Sequence, residues 1–346
     1  MSSVQTLTIG PDDGDQRLDR WFRRQFPHVQ QGRIEKMCRK GEIRVDGGRV
    51  KPATRLQSGQ AVRIPPLPDT AAPPVQHRAV SDADARMIQG CVIYRDDAVI
   101  ALNKPSGLPT QGGSKQTRHV DGLAEALKFD LDEKPRLVHR LDKDTSGVLL
   151  LARTRAAARA LTASMRHKET RKIYWALVAG VPTPYLGEIR FGLVKAPGRG
   201  AAGEGERMIA LHPREIDDTP GAKRAHTLYA TLYRAGSRAS WVAMEPITGR
   251  THQLRAHMAE IGHPIVGDGK YGGSGQENLG DGWGAQLGGV ISKKLHLHAR
   301  MMRFEHPESR KQITVTAPLP DHMAQSWETF GWTDDLAAED PFEALS

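Results

Sequence analysis

The segment LVHRLDKDTSGVLLLAR, residues 137–153, constrains the fold more strongly than any other stretch of the chain. Two apolar runs typical of buried strands flank nine residues, HRLDKDTSG, that are rich in charge, hydroxyl groups and glycine. Such a loop lies either on an ordinary surface or at the mouth of a sheet, where its charges have a chemical task. Because an aspartate in water is ionised at neutral pH, Asp142 is a candidate nucleophile, general base or metal ligand.

The neighbours of Asp142 favour a fixed loop. Gly147 permits a tight backbone turn, and Thr145 and Ser146 can fix the loop through local hydrogen bonds. A lone aspartate in a loop is most often a turn cap, so it is the crowding of HRLDKDTSG that favours function. A hydrolase triad of Ser146, His139 and Asp142 is disfavoured, because no G-x-S-x-G elbow surrounds Ser146 and triad members rarely fall within eight residues.

A second constellation is GRTHQLRAHMAEIGHPIVGD, residues 249–268. In a helix beginning at Thr251, His252 and Arg255 share one face, and Arg255 can hold a carboxylate by a bidentate pair. The apolar stripe of that helix consists of Leu254, Met258 and Ile261. The alternative is a surface helix with ordinary charges.

A third constellation is RKIYWALVAG, whose alternation predicts a strand. Lys172 and Tyr174 project to one face of that strand. The opposite face packs against the core through Ile173, Trp175 and Leu177. In the alternative interpretation, Tyr174 is an amphipathic strand residue with its hydroxyl in water.

Positive charge is concentrated near the start of the chain. Residues 17–63 hold 13 Lys and Arg against 4 Asp and Glu, a surplus equal to the formal net charge of +9 for all 346 residues. The stretch predicts a helix that ends before Pro27, a second helix over QGRIEKMCRK, and two short strands around an Asp46–Gly47 turn. A further strand follows in GQAVRIPP. A one-sided surplus of this kind favours an anionic partner such as nucleic acid.

Residues 17–64 resemble the S4 RNA-binding domain in RLDRW, RIEKMCRKGEIRVDGGRV and RLQSGQAVRIP, which follow in the family's order and spacing. The resemblance implies that two helices present a basic face to structured RNA. The candidates for phosphate contacts are Arg33, Lys36, Arg39 and Lys40.

Residues 91–320 resemble RNA pseudouridine synthases of the RluA type, because HRLDKDTSG, KIY, GRTHQLRAH and GHPIVGDGKYG occur in the family's order. Together with the S4 module, the pattern is similar to bacterial enzymes that modify large-subunit (23S) ribosomal RNA. LNKPSGLPTQGGS resembles the RluC branch more than the RluD branch. The resemblance implies an isomerase that converts specific uridines to pseudouridine.

The family's residue roles transfer to matching positions. Asp142 matches the catalytic aspartate, and Arg140 matches the arginine that enters the RNA and helps to extrude the target base. Tyr174 matches the tyrosine that packs on the uracil and is implicated in proton removal, and Arg255 matches the arginine that pairs with the aspartate. Supporting roles are assigned to His139, Thr145, Lys172 and His252.

We therefore predict an α+β protein in which a small S4 domain precedes a larger pseudouridine synthase domain, built on a mostly antiparallel sheet with helices and long loops. The predicted boundaries are 17–64 for the S4 domain, 65–86 for an extended proline-rich linker, 87–325 for the catalytic domain and 334–346 for a solvated acidic tail. Thr154 is a predicted helix N-cap. The glycine-rich stretches 198–207 and 272–289 are predicted to be long mobile loops.

Isomerisation of uridine involves no redox change, so no nicotinamide, flavin or other cofactor is expected. GRGAAG, residues 198–203, satisfies G-x-G-x-x-G but no βαβ unit surrounds it. His296 and His298 lack neighbouring residues with metal-ligand spacing, which favours a core or RNA-contact role.

The expected setting is a reducing cytoplasm. Only two cysteines occur, Cys38 and Cys91, and the sequence shows neither a signal-peptide pattern nor a run long enough to span a membrane. We expect a monomer bound to ribosomal RNA or to a pre-ribosomal particle. The alternative function is an RNA-binding assembly factor whose catalytic domain serves only as a scaffold.

Overall fold

The structure is a computed structural model that describes residues 3–67, 80–112, 118–167, 169–196, 207–272, 291–334 and 340–342. The chain forms two compact units, Met1–Ala79 and Val80–Ser346. GRGAAG, nearly all of both predicted glycine-rich loops and most of the predicted linker lie outside the described residues. None of the described helices is long and apolar enough to cross a membrane.

The described residues of the first unit form two α-helices, a short 3-10 helix and a four-stranded antiparallel sheet of order β1-β4-β2-β3. The helices are α1 (Leu18–Gln25) and α2 (Gln31–Lys40). The strands are β1 (Gln5–Thr8), β2 (Arg44–Val45), β3 (Gly48–Arg49) and β4 (Ala61–Ile64). Both helices and three of these strands were predicted, but β1 was not, and it precedes the predicted start at residue 17.

The core of the first unit follows the helical spacing of its apolar residues. Trp21 and Phe22 of α1 are buried with Ile34 of α2. Between β2 and β3, Asp46 and Gly47 both have positive φ, 49° and 78°, as a tight hairpin turn requires. The basic side chains of both helices are left on the outside of the unit.

The second unit contains a ten-stranded sheet, in which β10-β14-β15-β9-β16-β8-β6-β5 are neighbours, β17 pairs with β16, and β7 pairs with β8. All pairings are antiparallel except that of β16 with β8, so the predicted sheet type is confirmed. A separate three-stranded sheet has the order β12-β11-β13. The strands are β5 (Val92–Arg95), β6 (Val99–Lys104), β7 (Arg136–Leu137), β8 (Ser146–Ala152), β9 (Arg171–Ala179), β10 (Leu186–Ile189), β11 (Gly192–Lys195), β12 (Met208–Leu211), β13 (Lys223–Arg224), β14 (Thr227–Ala235), β15 (Ala239–Pro246), β16 (Leu297–Glu305) and β17 (Gln312–Thr316).

Helices cover both faces of the large sheet. They are α3 (Asp82–Gln89), α4 (Val120–Leu123), α5 (Arg155–Arg166), α6 (Gln253–Glu260) and α7 (Asp321–Thr329). Thr154 caps α5 by accepting a hydrogen bond from the backbone N–H of Ala157, as predicted. On β8, Leu149 packs in the same cluster as Leu141, whereas Leu150 packs in the cluster that contains α5.

Strand β9 is also buried on both faces. The predicted core face, which includes Trp175, packs with Trp327 of α7. The face that carries Lys172 and Tyr174 was not predicted to pack on a helix, yet Val178 on it is buried with Leu254 of α6. The sequence pattern missed this second contact because α6 lies more than 70 residues further along the chain.

Two predicted irregular segments are more ordered than expected. The linker was predicted to be extended to residue 86, but α3 begins at Asp82, with Ser81 accepting from the N–H of Asp84. The acidic tail was predicted to be solvated, but Phe342 is buried and Asp340 is ion-paired with Arg171. Pairing and burial of an aromatic ring explain why this part of the tail folds back.

Candidate active site

The loop that carries Asp142 runs between β7 and β8 and is anchored through its neighbours. Leu141 is buried, and its N–H donates to Thr110 Oγ1 at 3.1 Å while its carbonyl accepts from the same hydroxyl at 2.7 Å. The N–H of Thr145 donates to the carbonyl of Asp142 at 3.2 Å. The backbone on both sides of the Asp142 carboxylate is therefore fixed.

Lys104, at the end of β6, anchors the same loop through hydrogen bonds from its side chain. Its side chain is fully buried, and Nζ donates to the carbonyls of Pro105 at 2.9 Å, Leu108 at 2.8 Å and Lys143 at 3.0 Å. Burial lowers the pKa of Lys104 to about 7, against the opposing attraction of the Asp144 and Asp142 carboxylates. Lys104 thus clamps the residue that follows Asp142.

Gly147 allows the loop to enter the sheet. Its φ is 108°, and a Cβ atom at this position would lie 2.2 Å from the carbonyl oxygen of Ala299 on β16. Only glycine fits this close approach without a shift of the backbone. The predicted role in a tight turn is accompanied by a second role, the close contact of β8 with β16.

The hydrolase triad is excluded by the partners of its members. Ser146 Oγ bonds His298 Nδ1 at 2.9 Å, and His298 Nε2 bonds the carbonyl of Ala317 at 3.1 Å. His139 Nε2 accepts from the N–H of Leu150 at 2.9 Å. Both histidines are occupied within the fold and do not reach Asp142.

Two nitrogen-bearing side chains, one on α6 and one directly before its first residue, face the Asp142 carboxylate. Arg255 Nη1 lies 3.8 Å from Asp142 Oδ2, and His252 Nε2 lies 3.7 Å from the same oxygen. The side chains of Arg255 and His252 are nearly buried, whereas that of Asp142 is 21% exposed. The site therefore consists of a partly open carboxylate against a buried polar wall.

The bidentate partner of Arg255 is Asp268, not Asp142. Arg255 Nε donates to Asp268 Oδ2 and Nη2 donates to Oδ1, both at 2.7 Å. Arg255 was expected to pair with Asp142, but only Nη1 faces that carboxylate, at 3.8 Å, and the bidentate pair is made with Asp268. Sequence analysis missed Asp268 because it lies beyond the end of the helix.

His252 is held by Tyr271. Helix α6 begins at Gln253 rather than at the predicted Thr251, and His252 precedes it with a φ of 53°. His252 Nδ1 bonds the hydroxyl of Tyr271 at 2.9 Å. Burial lowers the pKa of His252, against the opposing pull of Asp142, so the imidazole is neutral at neutral pH.

Tyr174 lies on β9 opposite Ala299. Burial and the charge of Asp142 together raise the pKa of Tyr174, so its phenol keeps its proton at neutral pH. The side chain is partly buried and packs against two apolar clusters of the second unit. Tyr174 offers a neutral aromatic ring beside the carboxylate.

The remaining candidates lie around this centre. Lys172 is half-buried, and burial lowers its pKa; burial, with Lys172 nearby, also lowers the pKa of His139 to about 3. His139 is therefore neutral at neutral pH. Arg140, two residues before Asp142, is exposed.

In the first unit, α2 presents its basic side chains to solvent. The candidates Arg33, Lys36, Arg39 and Lys40 are all exposed, while the opposite face of α2 is buried. This arrangement matches a phosphate-binding surface. It was predictable from helical spacing alone.

Comparison with known proteins decides the family. Residues 98–260 match the model of the RNA pseudouridylate synthase family, and residues 16–62 match the S4 domain. Ribosomal large subunit pseudouridine synthase C of Haemophilus ducreyi is 36% identical over 328 residues, which cover 93% of this chain and 94% of the relative. The protein of the same name from Yersinia pestis is 36% identical over 322 residues, 92% of this chain and 93% of the relative. This chain belongs to the RNA pseudouridylate synthase family.

Solved structures of the same family resemble the synthase fold. Human RNA Pseudouridylate Synthase Domain Containing 4 aligns with a TM-score of 0.57 and 27% identity, covering 71% of this chain and 95% of that one. Human RNA Pseudouridylate Synthase Domain Containing 1 aligns with a TM-score of 0.52 and 25% identity, covering 72% and 95%. The predicted family and enzyme class, an isomerase that acts on uridine in RNA, are confirmed.

The histidines weighed as metal ligands serve this synthase as core residues. His296 bonds the carbonyl of Lys294 through Nδ1 and Ser326 through Nε2, and His298 is bound as described above. Burial lowers the pKa of each to about 4. Within the described ranges, no group of three or more histidine, cysteine or carboxylate side chains is arranged to hold a metal ion.

Proposed function

We propose that this synthase isomerises specific uridines of large-subunit ribosomal RNA and that Asp142 carries the chemistry. The observation that supports it most is the fixed, partly open Asp142 carboxylate, with Arg255 and His252 within 4 Å and the Tyr174 ring beside it. The substrate class follows from similarity over nearly the whole chain to relatives named for the large ribosomal subunit.

The reaction breaks the N1–C1′ bond of uridine and forms a C5–C1′ bond. One proton leaves C5 and one is gained at N1, so the isomer has the same composition as the substrate. Asp142 either attacks C1′ or removes a proton from the sugar, which leads through a glycal; both routes need an ionised carboxylate with a free oxygen. No redox step occurs, so the proposed chemistry requires no cofactor.

The neighbouring groups hold the detached uracil. Tyr174 provides a flat, neutral face on which the ring packs, because its raised pKa keeps the phenol protonated. The nearby Arg255 charge, directed at Asp142, balances the carboxylate while the glycosidic bond breaks. The ring can then turn without leaving the site.

The target base must leave its stack before Asp142 can reach C1′, at a cost of a few kcal/mol. We propose that the exposed Arg140 enters the RNA and occupies the space that the base vacates. Residues 17–64 of the first unit are the proposed RNA-binding module, and the second unit, which begins at Val80, is the proposed catalytic domain. The cationic face of α2 supplies affinity without base specificity.

We also propose that the enzyme acts as a monomer in the cytoplasm, where ribosomal RNA is available to it. Both cysteines, Cys38 and Cys91, are free thiols in the structure, in keeping with a reducing compartment. Size measurement in solution tests the monomer, and fractionation of cells tests the location.

The substrate is tested by mapping pseudouridine in transcripts of large-subunit and small-subunit ribosomal RNA after incubation with the enzyme. The proposal predicts discrete modified positions in the large-subunit transcript or in partly assembled large subunits, and background levels in small-subunit RNA. Modification of both RNAs at equal rates would contradict the assigned substrate. Binding without modification of either would favour the assembly-factor alternative.

A further inference from the structure

The segment Gly267–Tyr271 lies behind the site and contacts both groups that face Asp142. Asp268 binds Arg255, and Tyr271 binds His252. The backbone of the segment approaches Lys294 closely at Gly267, since a Cβ on Gly267 would lie 2.0 Å from the carbonyl oxygen of Lys294. Nothing in the reaction requires Asp268 or Tyr271 to touch the substrate.

Asp268 fixes the orientation of the Arg255 guanidinium. The Asp268 side chain is fully buried, and its Oδ1 also accepts from the N–H groups of Lys270 at 3.0 Å and Tyr271 at 3.2 Å. These bonds occupy Arg255 Nε and Nη2 and leave Nη1 on the side of Asp142. The guanidinium also lies over the Tyr271 ring, 5.2 Å from its centroid.

The distance from Arg255 to Asp142 has a chemical consequence. A guanidinium without another partner forms bidentate pairs with carboxylates at about 2.7–2.9 Å. Here Nη1 stays 3.8 Å from Asp142 Oδ2, and both shorter bonds go to Asp268. Asp142 therefore keeps its oxygen atoms available for the sugar while still facing a positive charge.

Tyr271 controls His252 in a comparable way. The Tyr271 hydroxyl accepts from the N–H of Met208 at 2.9 Å, so its own proton is free to go to His252 Nδ1. Burial raises the pKa of Tyr271, which keeps that proton on the hydroxyl. His252 then carries its remaining proton on Nε2, the atom that faces Asp142 at 3.7 Å.

We infer that Asp268 and Tyr271 are positioning residues: Asp268 holds Arg255 so that it does not capture Asp142, and Tyr271 fixes His252 as a neutral donor towards Asp142. This inference rests on the proposed role of Asp142. It assigns the segment GDGKY an indirect part in catalysis, through residues that face Asp142. Outer-shell partners that orient metal ligands typically affect affinity or activity by about 10- to 100-fold, and we expect a similar range for these contacts.

The test is the single-turnover rate of pseudouridine formation at saturating RNA, measured with the full-length protein. Asp268→Asn is expected to lower the rate by about 10- to 100-fold while the Kd for RNA changes by less than about threefold. In an Arg255→Met background, Asp268→Asn is expected to cause less than about threefold further loss, because Asp268 acts through Arg255. The matched control is Asp96→Asn, which also removes a capping carboxylate but lies at the other end of β6 from Lys104, and it should keep the wild-type rate.

Tyr271→Phe keeps the ring and tests the second contact, also if Asp268→Asn does not fold. A rate at least about fivefold lower with unchanged RNA affinity supports the inference; the wild-type rate in Tyr271→Phe, or in a folded Asp268→Asn, overturns it. A loss of RNA affinity equal to the loss of rate would also overturn it. Inactivity of the wild type on every RNA would instead refute the proposed function, so the two failures are distinguishable.

Discussion

Lys104 is the residue whose burial most needs an explanation. A fully buried lysine nitrogen is costly unless hydrogen bonds satisfy it, and here three backbone carbonyls do so. One of them belongs to Lys143, directly after Asp142. The buried Lys104 therefore fixes the loop that carries the Asp142 carboxylate.

Replacing Lys104 with Met should therefore damage both stability and activity. The side-chain length is nearly kept, but three carbonyls, one of them fully buried, lose their donor, which we expect to lower the free energy of unfolding by about 3–5 kcal/mol. Urea unfolding measures the loss, with Lys311→Met at an exposed position as the control. A change below about 1 kcal/mol would mean that other donors replace Lys104.

Four histidines whose pKa is lowered, three of them buried, predict an acid-sensitive second unit. Burial lowers the pKa to about 3 for His139 and to about 4 for His257, His296 and His298, whereas histidine in an unfolded chain titrates near 6.5. Between pH 6.5 and 4 the unfolded chain binds protons that the folded chain does not. Stability should therefore be retained above pH 6.5 and fall as the pH decreases, by about 2 kcal/mol per histidine between pH 7 and 5.

Urea unfolding at pH 7 and pH 5 checks this dependence. His298→Asn should reduce the difference between the two pH values, because one titrating group is gone, while the exposed His167→Asn should leave it unchanged. An equal difference in wild type and His298→Asn would show that the buried histidines do not control the acid sensitivity.

At the scale of elements, β8 and β16 meet at Gly147. Gly147→Ala should cost roughly 3 kcal/mol or more, because the residue has a φ of 108° and its added methyl group would meet the Ala299 carbonyl. Thermal unfolding measures the effect on stability. Release of tritium from RNA labelled with [5-³H]uridine measures the effect on activity. The control is Gly249→Ala, since a Cβ there meets nothing within 4 Å; equal effects of both changes would contradict the account.

Local patterns predicted most elements but not their long-range partners. Helical spacing located α1, α2 and α5, and the motif HRLDKDTSG located Asp142, because these signals lie within a few residues. Lys104, Thr110, Asp268 and Tyr271 were missed, since their roles depend on contacts between distant parts of the chain. The motif LNKP carried one usable signal for Lys104, because a lysine at the end of an apolar run is unusual. The motif GDGKYG was recognised as part of the family pattern, but no role was predicted for its individual residues.

At the scale of the whole molecule, RNA affinity and chemistry are assigned to different units. Replacing Arg33, Lys36 and Arg39 with Gln should weaken RNA binding and reduce the slope of log K against log salt by roughly 2–3, as expected for three lost phosphate contacts. The matched control replaces three exposed arginines of α5 with Gln, namely Arg155, Arg159 and Arg166. Helix α5 packs on the face of β8 that is opposite to Leu141. Filter binding over a salt series measures both, and equal slopes for the two triple variants would contradict a specific role for α2.

The central claim is that Asp142 performs the isomerisation in a site built by Lys104, Arg255 and Asp268. Tritium release from RNA labelled with [5-³H]uridine tests it most directly, because pseudouridine formation removes the C5 hydrogen. Wild type should release label from large-subunit RNA, and Asp142→Asn should be slower by about 10⁴-fold or more while binding the same RNA equally well. Release by Asp142→Asn within tenfold of the wild-type rate would contradict the claim.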